Sequence, residues 1–351
     1  MAPQSSRAKR GLVGDLAVGI GTALGIGLAA IGTWIAYSLT RIDHEVPLPE
    51  AITAHRFLLT SPRAGQLNYY LSREGQGRPL VLIHSINAAA SAYEMKPLFE
   101  TFRGQRSVFA LELPGFGFSD RSARKYTPEL YEAAILDFLE GVVAEPADVV
   151  ALSLGAEFAA RAALSQPERF HSLAMISPTG MESEPEERLE KGDSQGEEAN
   201  LAYRLFTVPL WARPFYDLLT TRASIRYFLD RSFVRPVPEE MIDYAYATAH
   251  QPGAENAPFY FVSGQLFTEG VRPAVYERLE IPVLVIYDED AFTGFNYLPE
   301  LIDNYPNWKA ARIQPTLGLP QFEKTDETAA ALQSFWNGLE ENSIARNAEI
   351  S

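Results

Sequence analysis

The hydrophobic pattern begins with one long apolar run, from Leu16 to Leu39, which holds 24 residues and no charge. At 1.5 Å per residue it is long enough to cross a hydrocarbon core of roughly 30 Å. A cleaved signal peptide is the alternative, but its apolar region spans only about 7–15 residues. Basic residues precede the run at Arg7, Lys9 and Arg10. We therefore expect a transmembrane helix over 16–39, a cytoplasmic tail over 1–15, and a main domain in the periplasm or outside the cell.

Small residues recur every four positions within this run, at Gly21, Gly25, Ala29 and Thr33. Such a stripe lets a second transmembrane helix approach closely, so a helix partner is one interpretation. The alternative is that glycine and alanine are simply common in membrane helices.

Beyond a linker at 40–53, short apolar runs alternate with helical patterns. Strands buried on both faces of a parallel sheet have this appearance, so the pattern predicts a doubly wound, mostly parallel α/β sheet. A hairpin precedes it, from Ala54–Leu59 and Gln66–Ser72. Helical patterns cover Pro128–Val143, Ala156–Ser165 and Asp326–Leu339, the last with Thr325 as its expected N-cap. The remaining strand-like runs are Pro79–His84, Ser107–Leu113, Asp148–Leu152, Leu173–Ser177 and Pro282–Tyr287.

The alternation stops at 181–280, a mostly helical stretch that predicts a cap over the carboxyl edge of the sheet. The sheet domain is thus expected in two parts, 54–180 and 281–340, followed by a tail at 341–351. The first part of the cap, Met181–Asn200, carries eight acidic residues. Such a run is usually a solvated face, and a docking surface for a basic partner is the alternative.

Charge and composition exclude several classes of protein. Thirty Lys and Arg against 45 Asp and Glu give a formal charge of −15, which argues against nucleic-acid binding. The chain has no cysteine, so disulfides and thiolate metal sites are absent. The five histidines show no metal-ligand spacing and there is no glycine-rich phosphate loop, so we expect neither a metal nor a cofactor.

A reactive serine is indicated at the end of one predicted strand. The segment Ala151-Leu152-Ser153-Leu154-Gly155 lies between a buried strand and a helix. It is the small-x-Ser-x-small form of the nucleophile elbow, in which a sharp turn projects the serine above the sheet and tolerates only small neighbours. The following helix N-terminus supplies free N–H groups and positive potential.

With this elbow, the chain resembles the α/β-hydrolase superfamily in its capped form, over about Ala54 to Leu339. The resemblance implies that the N–H groups of Leu154 and Ile86 form an oxyanion hole. Further stretches, His84–Glu94, Ser177–Gly180 and His250–Phe267, resemble a membrane-anchored, poorly characterised branch of that superfamily. Family-like motifs lie at His84–Asn87, Leu113–Asp120, Ser153, Pro282–Asp290 and Gly318–Glu323.

The expected Ser-His-acid triad is incomplete. Asp290 holds the acid position, with Asp288 as the near alternative, but Gly318 stands where the family places its histidine. No histidine follows His250. Two substitute bases remain open, namely His250 in the cap and Glu157 one helical turn after the serine.

Two functions follow from this pattern. In the first, the protein is a degenerate serine hydrolase with a binding or assembly role. In the second, it is an active, esterase-like hydrolase that acts on a small apolar acyl substrate with a displaced base. In the first function, either the pocket binds a ligand, for which a small apolar or acyl molecule is one candidate, or the surface holds a protein partner.

Overall fold

A computed structural model describes residues 30–182 and 192–350, with side chains described in 30–182 and 197–342. Its centre is one eight-stranded sheet in the order β1-β2-β4-β3-β5-β6-β7-β8. The pairs β1–β2 and β2–β4 are antiparallel, and the other five are parallel. The strands are β1 His55–Ser61, β2 Gly65–Ser72, β3 Leu80–Ile83, β4 Val108–Leu111, β5 Ala147–Leu152, β6 Phe170–Ile176, β7 Val283–Tyr287 and β8 Trp308–Arg312.

Helices cover both faces of the sheet, which explains why β3, β4 and β5 are buried along their whole length. One apolar cluster lies between the sheet and α3–α4, and a second lies between the sheet and α2–α13. The helices are α1 at residues 30–41, α2 Lys96–Phe102, α3 Pro128–Phe138, α4 Leu154–Ser165, α5 Gly192–Phe206, α6 Ala212–Leu219, α7 Arg222–Asp230, α8 Glu239–Ala249, α9 Asn256–Val262, α10 Val271–Ala274, α11 Leu298–Asn304, α12 Pro320–Glu323 and α13 Thr325–Ile350.

The parallel register brings the carboxyl ends of four strands to one edge. Ile83 of β3 pairs with Ala151 of β5, and Leu152 pairs with Ile176 of β6. The segments that follow these strands and β7 therefore start side by side. Helices α5–α10 form the predicted cap, whose residues close a cavity over this edge.

The doubly wound sheet, the hairpin and the helical cap predicted from the sequence are confirmed. The edge strand Trp308–Arg312 was not predicted, because only Trp308 of its five residues is buried and the strand contains no apolar run. Thr325 as N-cap is wrong: Thr328 N donates to Lys324 O, while Thr325 Oγ1 donates to Gln321 O. The last helix also continues past Leu339, to Ile350.

The predicted membrane span falls mostly outside the described residues, as do Gly21, Gly25 and Ala29, the tail at 1–15, and 183–191 of the acidic run. Its last residues form α1, which continues to residue 41. Within the described ranges, no helix has the length and apolar character needed to cross a bilayer.

Candidate active site

The strand-to-helix corner holds Ser153 in a backbone conformation that L-residues rarely adopt. Its φ is 52° and its ψ is −125°, and its N–H donates to Ile176 O at 2.8 Å. Strain of this kind costs about 1–3 kcal/mol and persists where the surroundings enforce it, which is common in active sites. A Cβ atom on Gly155 would stand 2.2 Å from the carbonyl oxygen of His84. The small residue predicted at that position is therefore required by close backbone packing.

The predicted oxyanion donors lie on both sides of this corner. Leu154 opens α4 and Ile86 follows β3, and the side chains of both are buried. Ile86 also lines the cavity that contains Ser153. Neither N–H group donates to a backbone acceptor among the described residues. Two such donors at the adjacent carboxyl ends of β3 and β5 are what an oxyanion hole requires.

A buried carboxylate that sequence reasoning missed fixes the loop His84–Asn87 after β3, which we call the oxyanion loop. Glu94 accepts from Ser85 N at 2.8 Å, from Ser85 Oγ at 3.0 Å and from Asn87 Nδ2 at 2.8 Å. Burial raises the pKa of Glu94, and these hydrogen bonds partly offset the rise. A signal for it exists in the sequence, since Glu94 is the one acid in the otherwise uncharged stretch 85–95.

His84 has a structural role in the site. Its Nδ1 donates to Ser85 O at 2.6 Å and its Nε2 accepts from Leu113 N at 3.0 Å. These partners require the neutral ring, and complete burial lowers the pKa of His84 to about 4. The imidazole thus joins the oxyanion loop to the turn after β4 and is not available to Ser153.

Asp290 and Gly318 meet at the edge of the same cavity. A Cβ atom on Gly318 would stand 2.5 Å from Oδ2 of Asp290, so the acid position faces the place where the base would begin. Burial raises the pKa of Asp290 to about 6, although its Oδ1 accepts from Phe292 N at 2.7 Å. Asp288 is used elsewhere, since it accepts from Arg312 Nε and from Thr316 N.

The structure does not bring either proposed substitute base to the serine. His250 is buried in the cap, where its Nδ1 donates to Tyr246 O and its ring stacks on Tyr246 at 3.9 Å. Glu157 accepts from Thr268 N at 2.6 Å on a loop of the cap, and burial raises its pKa to about 7. All five histidines belong to the described part of the chain, and none of them lines the cavity that contains Ser153.

This cavity has a volume of about 410 Å³. Its upper walls are apolar and come from α6–α9, while its floor is polar. Among residues 30–182 and 192–350, no group of three or more acidic or histidine side chains could hold a metal ion. The polar floor consists of Ser85, Asn87, Glu94, Ser153, Ser177, Thr179 and Asp290.

Comparisons with known proteins agree with this geometry. A family model described as the alpha/beta hydrolase family matches residues 80–331. Among curated proteins, the uncharacterized hydrolase YugF of Bacillus subtilis (strain 168) is 29% identical over 114 residues. This match spans 32% of the present chain and 41% of YugF, which is less than half of that relative.

Solved structures share the fold at low sequence identity. A serine hydrolase involved in carbazole degradation (CarC) superposes with a TM-score of 0.64 at 16% identity, over 81% of this chain and 99% of CarC. The structure of a membrane phospholipase A, a bacterial virulence factor, has a TM-score of 0.63 at 19% identity. That match covers 95% of this chain and 99% of the phospholipase.

Proposed function

The chain belongs to the alpha/beta hydrolase family, and from this premise we propose that it is a membrane-anchored, degenerate serine hydrolase that binds an acyl ligand without efficient turnover. The observation that carries the proposal is the pair Asp290 and Gly318, in which the acid faces a glycine instead of an imidazole. General-base assistance contributes about 10²–10⁴-fold to such reactions, and triad residues act as a unit. Without a base, Ser153 is expected to react slowly.

The groups that bind an acyl carbonyl remain in place. The N–H groups of Ile86 and Leu154 can donate to one carbonyl oxygen, and the apolar walls fit an acyl chain. Two carboxyl groups with raised pKa values, Glu94 and Asp290, share the cavity floor. Asp290 is ionised above about pH 6 and would repel the carboxylate of a free fatty acid, so a neutral ester or amide is favoured.

Membrane attachment forms part of the proposal. The apolar run from Leu16 to Leu39 supports an anchor, and the basic residues before it support a cytoplasmic N-terminus with the main domain outside. The match over 95% of the chain to a membrane phospholipase A is in keeping with this. A partner helix contacting Gly21, Gly25 and Ala29 remains part of the same proposal. Protease added to intact spheroplasts should digest the main domain, and protection of that domain would contradict the orientation.

One observation favours the second candidate, a slow hydrolase with a displaced base. The pKa of Asp290 is raised to about 6, so its carboxylate is a stronger base than an ordinary aspartate and is ionised at neutral pH. Asp290 and Ser153 line the same cavity, and Gly318 places no side chain beside Asp290. Hydrolysis by this route should rise as the pH passes 6 and should be lost in Asp290→Asn.

Ligand binding tests the first candidate directly. The full chain in detergent is titrated with the methyl ester of pyrene-dodecanoic acid, followed by pyrene fluorescence, and the recovered ester is analysed for cleavage. We expect saturable binding of intact ester and weaker binding of the free acid at pH 8. Ala89→Phe, at a half-buried wall of the cavity, should weaken binding at least tenfold. Ala123→Phe, at an exposed position, is the matched control, and equal binding by both variants would contradict the proposal.

A further inference from the structure

The helix that ends the apolar run is fixed to the cap. Trp34 Nε1 donates to Pro214 O at 2.8 Å, and Ser38 Oγ donates to Asp217 Oδ2 at 2.5 Å. Ser38 and Asp217 are both completely buried, and His44 Nε2 lies 3.0 Å from the same carboxylate. Because buried polar contacts of this kind specify one geometry, α1 and α6 are held in a fixed relation.

The cap helices also expose several large apolar side chains. Leu210 is 64% exposed and Leu218 is 52% exposed, and Trp211 Nε1 donates to Leu205 O, which joins α5 to the start of α6. A soluble monomer rarely exposes contiguous apolar patches larger than a few hundred Å². We call this surface the apolar cap face; it consists of Leu201, Leu205, Leu210, Trp211, Leu218, Tyr227 and Phe228.

The position of α1 brings this face to the membrane boundary. Leu39 ends the apolar run and directly follows Ser38, which is bonded to Asp217. If the run crosses the bilayer, α6 lies within about one helical turn of the point where the chain leaves the lipid. Trp and Tyr prefer this boundary, and α1 itself exposes Tyr37 and Leu39 there.

The apolar cap face is continuous with the cavity. Leu218 is exposed while its neighbour Leu219 lines the cavity. Phe228 does both, since it is 46% exposed and also contributes to the cavity wall. Phe292, on the loop that follows Asp290, is likewise exposed and lines the cavity. An acyl chain leaving the lipid at this surface would therefore meet an apolar path towards Ser153.

We infer that the apolar cap face lies in the headgroup–acyl boundary of the anchoring bilayer, and that the ligand is a membrane lipid whose acyl chain enters past Phe228. This inference rests on the membrane anchor and the acyl ligand of the proposed function. With a formal charge of −15, electrostatic attraction to anionic lipids is not the driving force, so burial of apolar side chains in the boundary holds the cap there.

The absence of cysteine allows a site-specific test on the full chain. Single-cysteine variants Leu218→Cys and Leu58→Cys are labelled with bimane and reconstituted in phosphatidylcholine–phosphatidylglycerol vesicles. Leu58, on the edge strand β1, is a matched control because it is 54% exposed. We expect nitroxide-labelled lipid to quench bimane at position 218 at least threefold more than at 58, with iodide showing the reverse order. Equal iodide quenching at both positions would overturn the inference. Protection of position 218 from both quenchers would show that a second copy covers this face, and would overturn it as well.

Two further measurements separate the parts of the account. Release of the protein from membranes by alkaline carbonate would mean that the anchor itself fails. Retention in the membrane, with the bimane at position 218 exposed to water, would mean that only the placement of the cap fails.

Phosphatidylcholine with a diazirine in its acyl chain should cross-link to the peptide that contains Ile225 and Phe228, and Ala89→Phe should reduce this cross-link at least fivefold. Absence of the cross-link in the native chain would overturn entry of the acyl chain, whatever the result of the ester titration.

Discussion

Asp290 and Gly318 lie directly against each other: a Cβ atom on Gly318 would stand 2.5 Å from Oδ2 of Asp290. The loops after β7 and β8 therefore meet, and the Asp290 carboxylate occupies the space that a side chain at position 318 would need. Asp288, which follows β7, accepts from Thr316 N and so joins this loop to the loop after β8. In the proposed function, this pair is the place of the catalytic base without its imidazole.

A small external base should partly replace the missing side chain. We expect 50 mM imidazole at pH 7.5 to raise the rate of Ser153 modification by a fluorophosphonate at least tenfold, because base assistance is worth about 10²–10⁴-fold. The measurement is the labelling rate of the native chain with and without imidazole. Ser153→Ala is the control for background reaction. An equal increase in the Ser153→Ala variant, or no increase in the native chain, would contradict the prediction.

Placing histidine at position 318 should not restore activity. Gly318 has a φ of +108°, a conformation that L-residues rarely adopt, and a Cβ atom there would collide with Asp290. We expect Gly318→His to lower the free energy of unfolding by about 1–3 kcal/mol and to leave the labelling rate of Ser153 within threefold of the native value. Thermal unfolding and labelling kinetics measure the two effects. A stable variant with strongly increased labelling would show that the loop accepts the imidazole.

The raised pKa of Asp290 predicts a pH-dependent change in stability. The ordinary aspartate pKa is 3.8, and burial raises it to about 6 in the folded chain, so folding becomes less favourable as the pH rises from 4 to 6. Asp290→Asn removes this cost, and it should be more stable than the native chain above pH 6 by at most about 3 kcal/mol. The difference should vanish below pH 4. Denaturant unfolding at pH 4 and pH 8 checks this, and equal differences at both pH values would count against the raised pKa.

Strain at the elbow predicts that glycine stabilises position 153. Ser153 has a φ of 52°, where a Cβ atom is disfavoured and glycine is not. We expect Ser153→Gly to be more stable than Ser153→Ala by about 1 kcal/mol. Since both variants lack the hydroxyl, the comparison isolates the backbone. Equal stability of Ser153→Ala and Ser153→Gly would show that the backbone at position 153 is not strained.

The sequence was sufficient to predict those site residues whose positions depend on the order of residues along the chain. The elbow at Ser153 follows from a strand end and small residues, and the pairing of Asp290 with Gly318 is what the family resemblance implies. All three residues line one cavity. The environment of Glu94 was not predictable, because its partners Ser85 and Asn87 reach it only in the folded oxyanion loop. The orientation of His250 depends on packing between cap helices, which no local pattern encodes.

The central claim, that Ser153 has kept its position but lost its base, is tested most directly by fluorophosphonate labelling of the native full-length chain at pH 7.5 without added imidazole. The account predicts a labelling rate close to that of Ser153→Ala. Rapid labelling confined to Ser153 would show that a base reaches the hydroxyl and would contradict the account.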